Sequence, residues 1–462
     1  MKLIKYVLLL LMIAFASTNS KAQTDKIKQI DALMNEAHKL GTFNGNVLVA
    51  EKGTIIYQAA IGFADGAKSK NLTPALRFDI GSISKEFNGV GIMLLKEQGK
   101  LQLDDKITKY LPDLPKWAEK IQIKNLIQYT SGLPVGKATS DEEYRSELAK
   151  LEKLEFEPGK AFIYSNSNVY LQKRIIERIS GFSYKEFAEK NILTPCKMTS
   201  ALIDVPTGDP SMAKSFDNNF VESKYAQQSS GWVRLTINDL YLWTKCLNSY
   251  QIIKESSFRE LAAGFGDSET SLGSTKFENN KLTIHQHHGS NYNYEAIMFS
   301  NLTDDLTIIL MTNNQNFKVH ALRDAIVAIL NGKPFQVPKK SIYLDIREKV
   351  LANFEDGLAF YNQLKETQAD RYDLAGEFFD LVNTGKYLQR RERYDDAIRL
   401  FHIAALFEVK KDDLSYCFEL IADSYSKKGS RQMALIYYKK ALEKDETNKN
   451  ARGRLDEILN KR

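Results

Sequence analysis

Cysteine is scarce in this chain: Cys196, Cys246 and Cys417 are the only three in 462 residues. They stand far apart, which excludes a disulfide-built scaffold and any metal-ligand spacing. A single bridge between two of them stays open in an oxidising compartment; buried or free thiols are the plainer expectation. No dense Lys/Arg stretch interleaves with aromatics, so nucleic acid is not an expected partner. The formal charge of +6 falls to +3 without Lys2, Lys5 and Lys21, near neutral for the length. The apolar run at residues 6–16 is too short to span a bilayer comfortably. Flanked by Lys2 and Lys5, with Ser20 and Ala22 placed for a cut before Gln23, it reads as a secretory signal peptide over 1–22. No cysteine follows the run, so a lipid anchor has no attachment point. No stable membrane span is expected after cleavage. Hydrophobic residues make up 43% and charged residues 26%, the balance of a soluble globular protein with room for a core.

The length suggests two or three domains. "FNGNVLVAEKGTIIYQAAIGFAD" (43–65) reads as two strands around a turn at Lys52-Gly53. Residues 84–98 put Phe87, Val90, Met93, Leu94 and Leu95 on one helical face. Helix and turn signals mix from 105 to 260. A second hairpin follows at 295–316, turning at Asp304-Asp305, and then a helix over 321–332 ended by glycine. Strands at both ends of a helical middle predict an α+β domain whose terminal strands share one antiparallel sheet.

Character changes at "KPFQVPKKS" (333–341), after which the pattern is helical with almost no proline. This gives a domain over 23–335, a linker over 336–344 and an all-α domain over 345–462. Within the last, Ala397, Phe401 and Ala404 match Ala434, Tyr438 and Ala441. That spacing is the one found in the second helix of a tetratricopeptide repeat, although the offset is three residues longer than usual.

The chemistry centres on "FDIGSISKEFNGVGIMLLKEQGK" (78–100). Ser82 and Lys85 are a Ser-x-x-Lys pair, and the same spacing recurs at Ser211/Lys214 and Ser424/Lys427. A serine at a helix start is either a nucleophile or an ordinary N-cap. Only Ser82 stands between a strand and an amphipathic helix, where the helix N-terminus favours negative charge. Lys85, three residues on, shares its face. Downstream, Tyr164-Ser165-Asn166 precedes an apolar-periodic helix; the tyrosine suits a proton relay and the asparagine a substrate amide. Further on, His287-His288-Gly289-Ser290 lies on a strand, where the glycine lets a substrate backbone approach. His285 and His287 share one strand face, but no acidic or thiol partner at fixed spacing completes a zinc site.

In this order, Ser-x-x-Lys, Tyr-x-Asn and His-x-Gly resemble the serine β-lactamases and penicillin-binding DD-peptidases. Nearest are the class C branch and its esterase and D-aminopeptidase relatives. "LIQYTSGLP" (126–134) and "PGKAFIYSNSNVYLQKRIIERISGFSYKEFAEKNILTPCKM" extend the resemblance over roughly 40–332. It implies a β-lactamase/transpeptidase-like fold, with Ser82 as nucleophile, Lys85 as its base and Tyr164 as general acid/base. Asn166 would bind the substrate amide. His287 would take a position that is lysine in many members, where as a cation it would hold a substrate carboxylate. Gly289 and Ser290 would line the substrate, the N–H groups of Ser82 and Ser290 forming the oxyanion hole. The family's second glycine after this motif is replaced by "SNYNYE", where Asn293 is expected to take the left-handed conformation. No acidic residue matches the deacylating base of class A enzymes.

The expected protein is thus a secreted or periplasmic serine hydrolase without cofactor or metal. It would act through an acyl-enzyme on an amide, ester or β-lactam, with a small-molecule or peptide substrate. The helical repeats would serve contacts with another protein. The alternative is a binding or sensor protein of the same fold that is slowly acylated or not at all.

Overall fold

The structure, a computed structural model, describes residues 23–204, 208–224, 231–266 and 268–460. The signal peptide expected at 1–22 lies outside the described residues. The chain divides into two compact units between Val337 and Pro338.

In the first unit, helix α1 (residues 23–39) leads into strands β1 (Gly45–Glu51) and β2 (Thr54–Ile61). Lys52 and Gly53 both have positive φ, at 51° and 72°, the conformation of a two-residue hairpin turn that follows strand twist. A small sheet in the order β3-β5-β4 joins β3 (Phe78–Asp79), β4 (Leu202–Ile203) and β5 (Val233–Leu235). The remaining strands are β6 (Ser274–Glu278), β7 (Lys281–Asn291), β8 (Tyr294–Asn301) and β9 (Leu306–Thr312). The main sheet runs β2-β1-β9-β8-β7-β6, every pair antiparallel. Strands from the two ends of the domain therefore lie side by side, as the sequence pattern predicts.

Both faces of that sheet are covered, which explains why β1 is buried almost throughout. Val47, Val49, Ile308 and Leu310 face one cluster with Ile30, Leu33 and Met34 of α1 and Leu322 and Ile326 of α9 (Val319–Leu330). Leu48, Ala50, Ile309 and Met311 face the other, larger cluster. There they meet the helical region, led by α2 (Ser84–Glu97). This period-2 sorting is what a sheet between two helical layers requires.

The rest of the helical region comprises α3 (Ile123–Ile127), α4 (Asp141–Lys150), α5 (Asn166–Ser180), α6 (Tyr184–Ala188), α7 (Ile237–Asn248) and α8 (Glu255–Ala262). One expectation fails here. Cys196 and Cys246 are bonded, with Cα atoms 5.6 Å apart, and only Cys417 is a free, buried thiol. The two cysteines lie 50 residues apart in sequence, so spacing alone gave no sign of the pairing; packing of α7 against the segment after α6 creates it.

The second unit contains α10 (Tyr343–Ala352), α11 (Phe354–Thr367), α12 (Glu377–Gln389), α13 (Tyr394–Ala404), α14 (Lys411–Lys427), α15 (Arg431–Lys444) and α16 (Lys449–Asn460). Successive pairs α10/α11, α12/α13 and α14/α15 pack as helical hairpins. Ala397, Phe401, Ala404, Ala434, Tyr438 and Ala441 are all buried in one core. A Cβ on Gly385 would sit 2.3 Å from the Phe401 ring; glycine there lets α12 and α13 approach.

Candidate active site

The Ser82 side chain does not cap a helix. It sits in a 3₁₀ turn (Gly81–Ile83) ahead of α2, and neither element has a side-chain cap. Its Oγ instead accepts two hydrogen bonds, from Lys85 Nζ at 2.9 Å and Tyr164 OH at 2.8 Å. Lys85 is buried and also lies over the Tyr164 and Trp232 rings, 5.0 and 5.7 Å from their centroids. Lys85 from the next turn and Tyr164 from 82 positions on thus converge on one oxygen.

The other two Ser-x-x-Lys pairs dissolve. Ser211 bonds Asp209 within a loop, while Lys214 pairs with Glu222 at 3.2 Å. Ser424 is buried in α14 and donates back to Leu420 O at 2.9 Å, an ordinary intrahelical bond.

Tyr164 is held by a neighbour that carries no assigned role in the sequence. Tyr129, from the "LIQYTSGLP" segment, packs its ring 4.9 Å from that of Tyr164, and its carbonyl accepts from Ile163 N at 2.9 Å. Tyr129 has a φ of 56°. A buried aromatic in the left-handed region carries strain of the kind found at functional sites. Asn166 begins α5 and is exposed. With Lys85, Tyr144, Lys173 and Trp232 it lines a cavity of about 30 Å³, room for a water. Burial pushes the Lys173 ammonium down to about 8, against the opposing pull of Asp141, 3.6 Å away.

Strand β7 forms the other wall. A Cβ on Gly289 would lie 1.9 Å from Ile80 O and 2.8 Å from Ser82 N; one on Gly81, which has a φ of +53°, would lie 2.3 Å from Ser290 N. The two glycines let strand and turn touch, and this brings the Ser82 and Ser290 amides together. Asp79, fully buried, ties the two sides. It accepts from Gly81 N at 2.8 Å and Asn291 Nδ2 at 2.7 Å, and pairs with Arg234 at 3.0 Å. Asp79 is three residues before Ser82, and Asn291 directly follows Ser290.

His287 lies on the same face of β7 as Gly289, but its ring is only 2% exposed. Its Nδ1–H donates to Glu86 Oε1 at 2.9 Å, and His285 Nε2 lies 3.3 Å from the same oxygen. Trp243 Nε1 donates to Glu86 Oε2 at 2.6 Å. Burial alone would raise the Glu86 carboxyl; charge and hydrogen bonds from His285 and His287 outweigh it and hold it at about 2. The shared face of the two histidines thus serves a carboxylate. Among the described residues no group of three His, Cys, Asp or Glu side chains could hold a metal.

One local expectation is corrected. In the turn between β7 and β8 the left-handed residue is Tyr292, at φ 51°, and Asn293 is not among the positive-φ residues. A two-residue hairpin of this kind needs positive φ only at its first central position. Asn293 instead donates to Ser223 Oγ at 2.9 Å.

The Beta-lactamase family is matched over residues 28–331. Penicillin-binding protein 4* of Bacillus subtilis (strain 168) is 26% identical over 360 residues, covering 68% of this chain and 78% of that protein. Protein flp of Staphylococcus aureus (strain NCTC 8325 / PS 47) is 24% identical over 345 residues, covering 67% and 68%. Among solved structures, the octameric penicillin-binding protein homologue from Pyrococcus abyssi aligns with a TM-score of 0.58 at 20% identity, covering 71% of this chain and 81% of that one. FmtA from Staphylococcus aureus aligns at 0.56 and 21% identity, covering 68% and 91%. These structural likenesses concern the fold.

Proposed function

The chain belongs to the Beta-lactamase family, and on that premise we propose that it is a secreted serine hydrolase that works through an acyl-enzyme on Ser82. The observation that carries this reading is the convergence of Lys85 Nζ and Tyr164 OH on Ser82 Oγ, at 2.9 and 2.8 Å. A serine hydroxyl is a poor nucleophile until a base takes its proton. Lys85 as the free amine accepts that proton while Oγ forms its bond to the substrate carbonyl carbon. The carbonyl oxygen becomes an oxyanion between the N–H groups of Ser82 and Ser290. Collapse breaks the bond to the leaving group, and Tyr164 passes it the proton. In the second half a water attacks the acyl carbon and Ser82 is released with its proton restored. Asn166, at the rim, binds the acyl amide. Gly289 and Ser290 present the strand edge to the substrate.

The signal-peptide pattern at 1–22 and the Cys196–Cys246 bridge both favour export, since such bonds persist in oxidising compartments. N-terminal sequencing of the exported protein should begin at Gln23. The first unit carries the chemistry, and beyond the boundary between Val337 and Pro338 the helical unit reads as tetratricopeptide-like repeats that dock a protein. The small residues at the helix-pair contact, Gly385 and the matching Ala422, both buried, support that reading.

The test is intact mass after incubation with a fluorophosphonate and, separately, with a β-lactam and a small ester, beside Ser82→Ala. An adduct absent from Ser82→Ala and followed by product release supports the hydrolase. An adduct that forms and never leaves makes the protein a binder. No adduct in folded protein refutes the nucleophile.

A further inference from the structure

Resting on the reading of Ser82 as nucleophile, we infer that Asp79 and Asn291 are positioning residues: one buried carboxylate holds the Ser82 and Ser290 amides at a fixed separation, so the place for the oxyanion exists before substrate arrives. The argument starts from where the Ser290 amide points. Ser290 stands opposite Glu295, one step before the Asn291–Tyr294 pair that closes the two-residue turn. Antiparallel pairs alternate, and the pair closing such a turn is a hydrogen-bonded one. The Ser290 N–H is therefore directed away from β8. On that other side the register of β6 with β7 ends at Gln286, opposite Ser274. What meets Ser290 there is the Gly81–Ile83 turn: a Cβ on Gly81 would lie 2.3 Å from Ser290 N, and one on Gly289 would lie 2.8 Å from Ser82 N. An amide on a strand edge and the amide of the nucleophile itself thus face one gap.

Asp79 reaches both sides of that gap. It lies opposite Arg234 in the β3–β5 pair and is wholly buried. Its Oδ1 accepts from Gly81 N at 2.8 Å, which fixes the turn one residue before Ser82. Its Oδ2 accepts from Asn291 Nδ2 at 2.7 Å, which fixes the strand one residue after Ser290, and pairs with Arg234 Nη2 at 3.0 Å. A carboxylate is planar and stiff, and bonds to an ionised acceptor are about twice as strong as neutral ones. The two oxygens therefore set the distance between the two anchors. As a source of stability a buried ion pair is a weak device, since apolar residues of similar volume often serve as well; what it supplies here is direction. Donors aimed in advance need no reorganisation when charge develops. Ser82 Oγ takes its own hydrogen bonds from Lys85 and Tyr164, so Asp79 and Asn291 act through the backbone beside the amides.

The experiment follows hydrolysis of phenyl phenylacetate by the full-length protein and its inhibition by benzylboronic acid. Boron forms a bond to Ser82 Oγ, the serine proton passes to the base, nothing leaves, and the tetrahedral anion carries one oxygen where the oxyanion would stand. Asn291→Ala removes the donor to Asp79. Asn291→Asp keeps the size and sets a second carboxylate against Asp79. Relative to the unmodified protein, kcat in Asn291→Ala should fall by about 10- to 100-fold, short of the complete loss of one donor, and Ki for the boronate should rise by a similar factor. KM should stay within about twofold, the pattern of an interaction made only in the transition state. Asn291→Asp should be impaired at least as much. Rates and Ki unchanged in folded variants, or Asn291→Asp matching the unmodified protein, overturn the inference while leaving the nucleophile standing. So does a rise of KM and Ki together with a fall in Tm, the mark of a merely structural role. No turnover and no Ser82 adduct in the unmodified protein overturn the hydrolase reading and the inference with it. Should one variant fail to fold, the other decides.

Discussion

Adding one methyl group at Gly289 should disable the site without touching any side chain in it. An alanine Cβ there would lie 1.9 Å from Ile80 O and 2.8 Å from Ser82 N, both backbone atoms. Real contacts of this kind do not fall below 3.0 Å, so strand and turn must part by about 1 Å. Neither atom can rotate away as a side-chain tip would. The displaced group is the Ser82 amide, one of the two donors assigned to the oxyanion. Loss of one such donor costs about 10²–10³ in rate, about 2.7–4 kcal/mol, and a misplacement of about 1 Å alone costs about 10². Overpacking adds about 1–3 kcal/mol of destabilisation, so the assay needs two readings. Gly289→Ala is compared with the unmodified protein for ester turnover at a temperature where both are folded, and for Tm. The expected result is a fall in kcat of two to three decades with little change in KM, and a Tm lower by a few degrees. A kcat within twofold, with the variant folded, would show that the strand does not set the geometry of the Ser82 amide and would refute the reasoning.

Other perturbations follow from contacts already described. Tyr164→Phe removes the 2.8 Å bond to Ser82 and should slow turnover by about 10²–10⁴, the range for a lost general acid, while an ester with a very good leaving group suffers least; equal losses across leaving groups would argue against a relay. Glu86 is held at about 2 against an ordinary value of 4.5, so its contribution to stability is fully present above 4.5 and is lost as pH falls through about 2. Melting curves of the unmodified protein and Glu86→Gln should therefore converge towards pH 2, and parallel curves would contradict the assignment. Replacing Cys196 and Cys246 together opens a loop closed across 50 residues and should cost about 4 kcal/mol by chain entropy; an unchanged denaturation midpoint in the presence and absence of reductant would mean that the bridge does not form.

The parts of the site that were legible in the sequence are those fixed by local chemistry. Ser82 and Lys85 are three residues apart on one turn, and β7 and the two hairpins announce themselves by alternation and turn residues. Ser82 also differs from Ser211 and Ser424 in its local context, with a strand before it and an amphipathic helix after. What stayed hidden depends on contacts made across the fold. Glu86 reads as a common acid in the first turn of a helix, and only the return of β7, 201 residues later, supplies His287. Asp79 likewise meets Asn291 from 212 residues away. Sequence shows neither burial nor partner for either, although an acid flanked by the apolar positions of α2 was a usable hint. The helix at 23–39 carries Ile30, Leu33, Met34 and Ala37 at helical spacing, a pattern overshadowed by the apolar run before it. The left-handed turn residue was misplaced for a different reason: asparagine tolerates positive φ better than tyrosine, and hairpin geometry overrode that preference.

The pairing of β1 with β9 joins Gly45 to Thr312. Hydrogen bonds inside the sheet are thus made between the first and last strands of the domain. During synthesis β1 and β2 can form a hairpin early, but a two-stranded hairpin has little stability of its own. Its partner is not yet made until some 250 residues later, so the half-built sheet keeps an open edge throughout translation. Long-range pairing of this sort slows folding. Under the proposed export of an unfolded chain, that delay is useful: the last strand to leave the ribosome closes the sheet, and threading can begin before the domain locks.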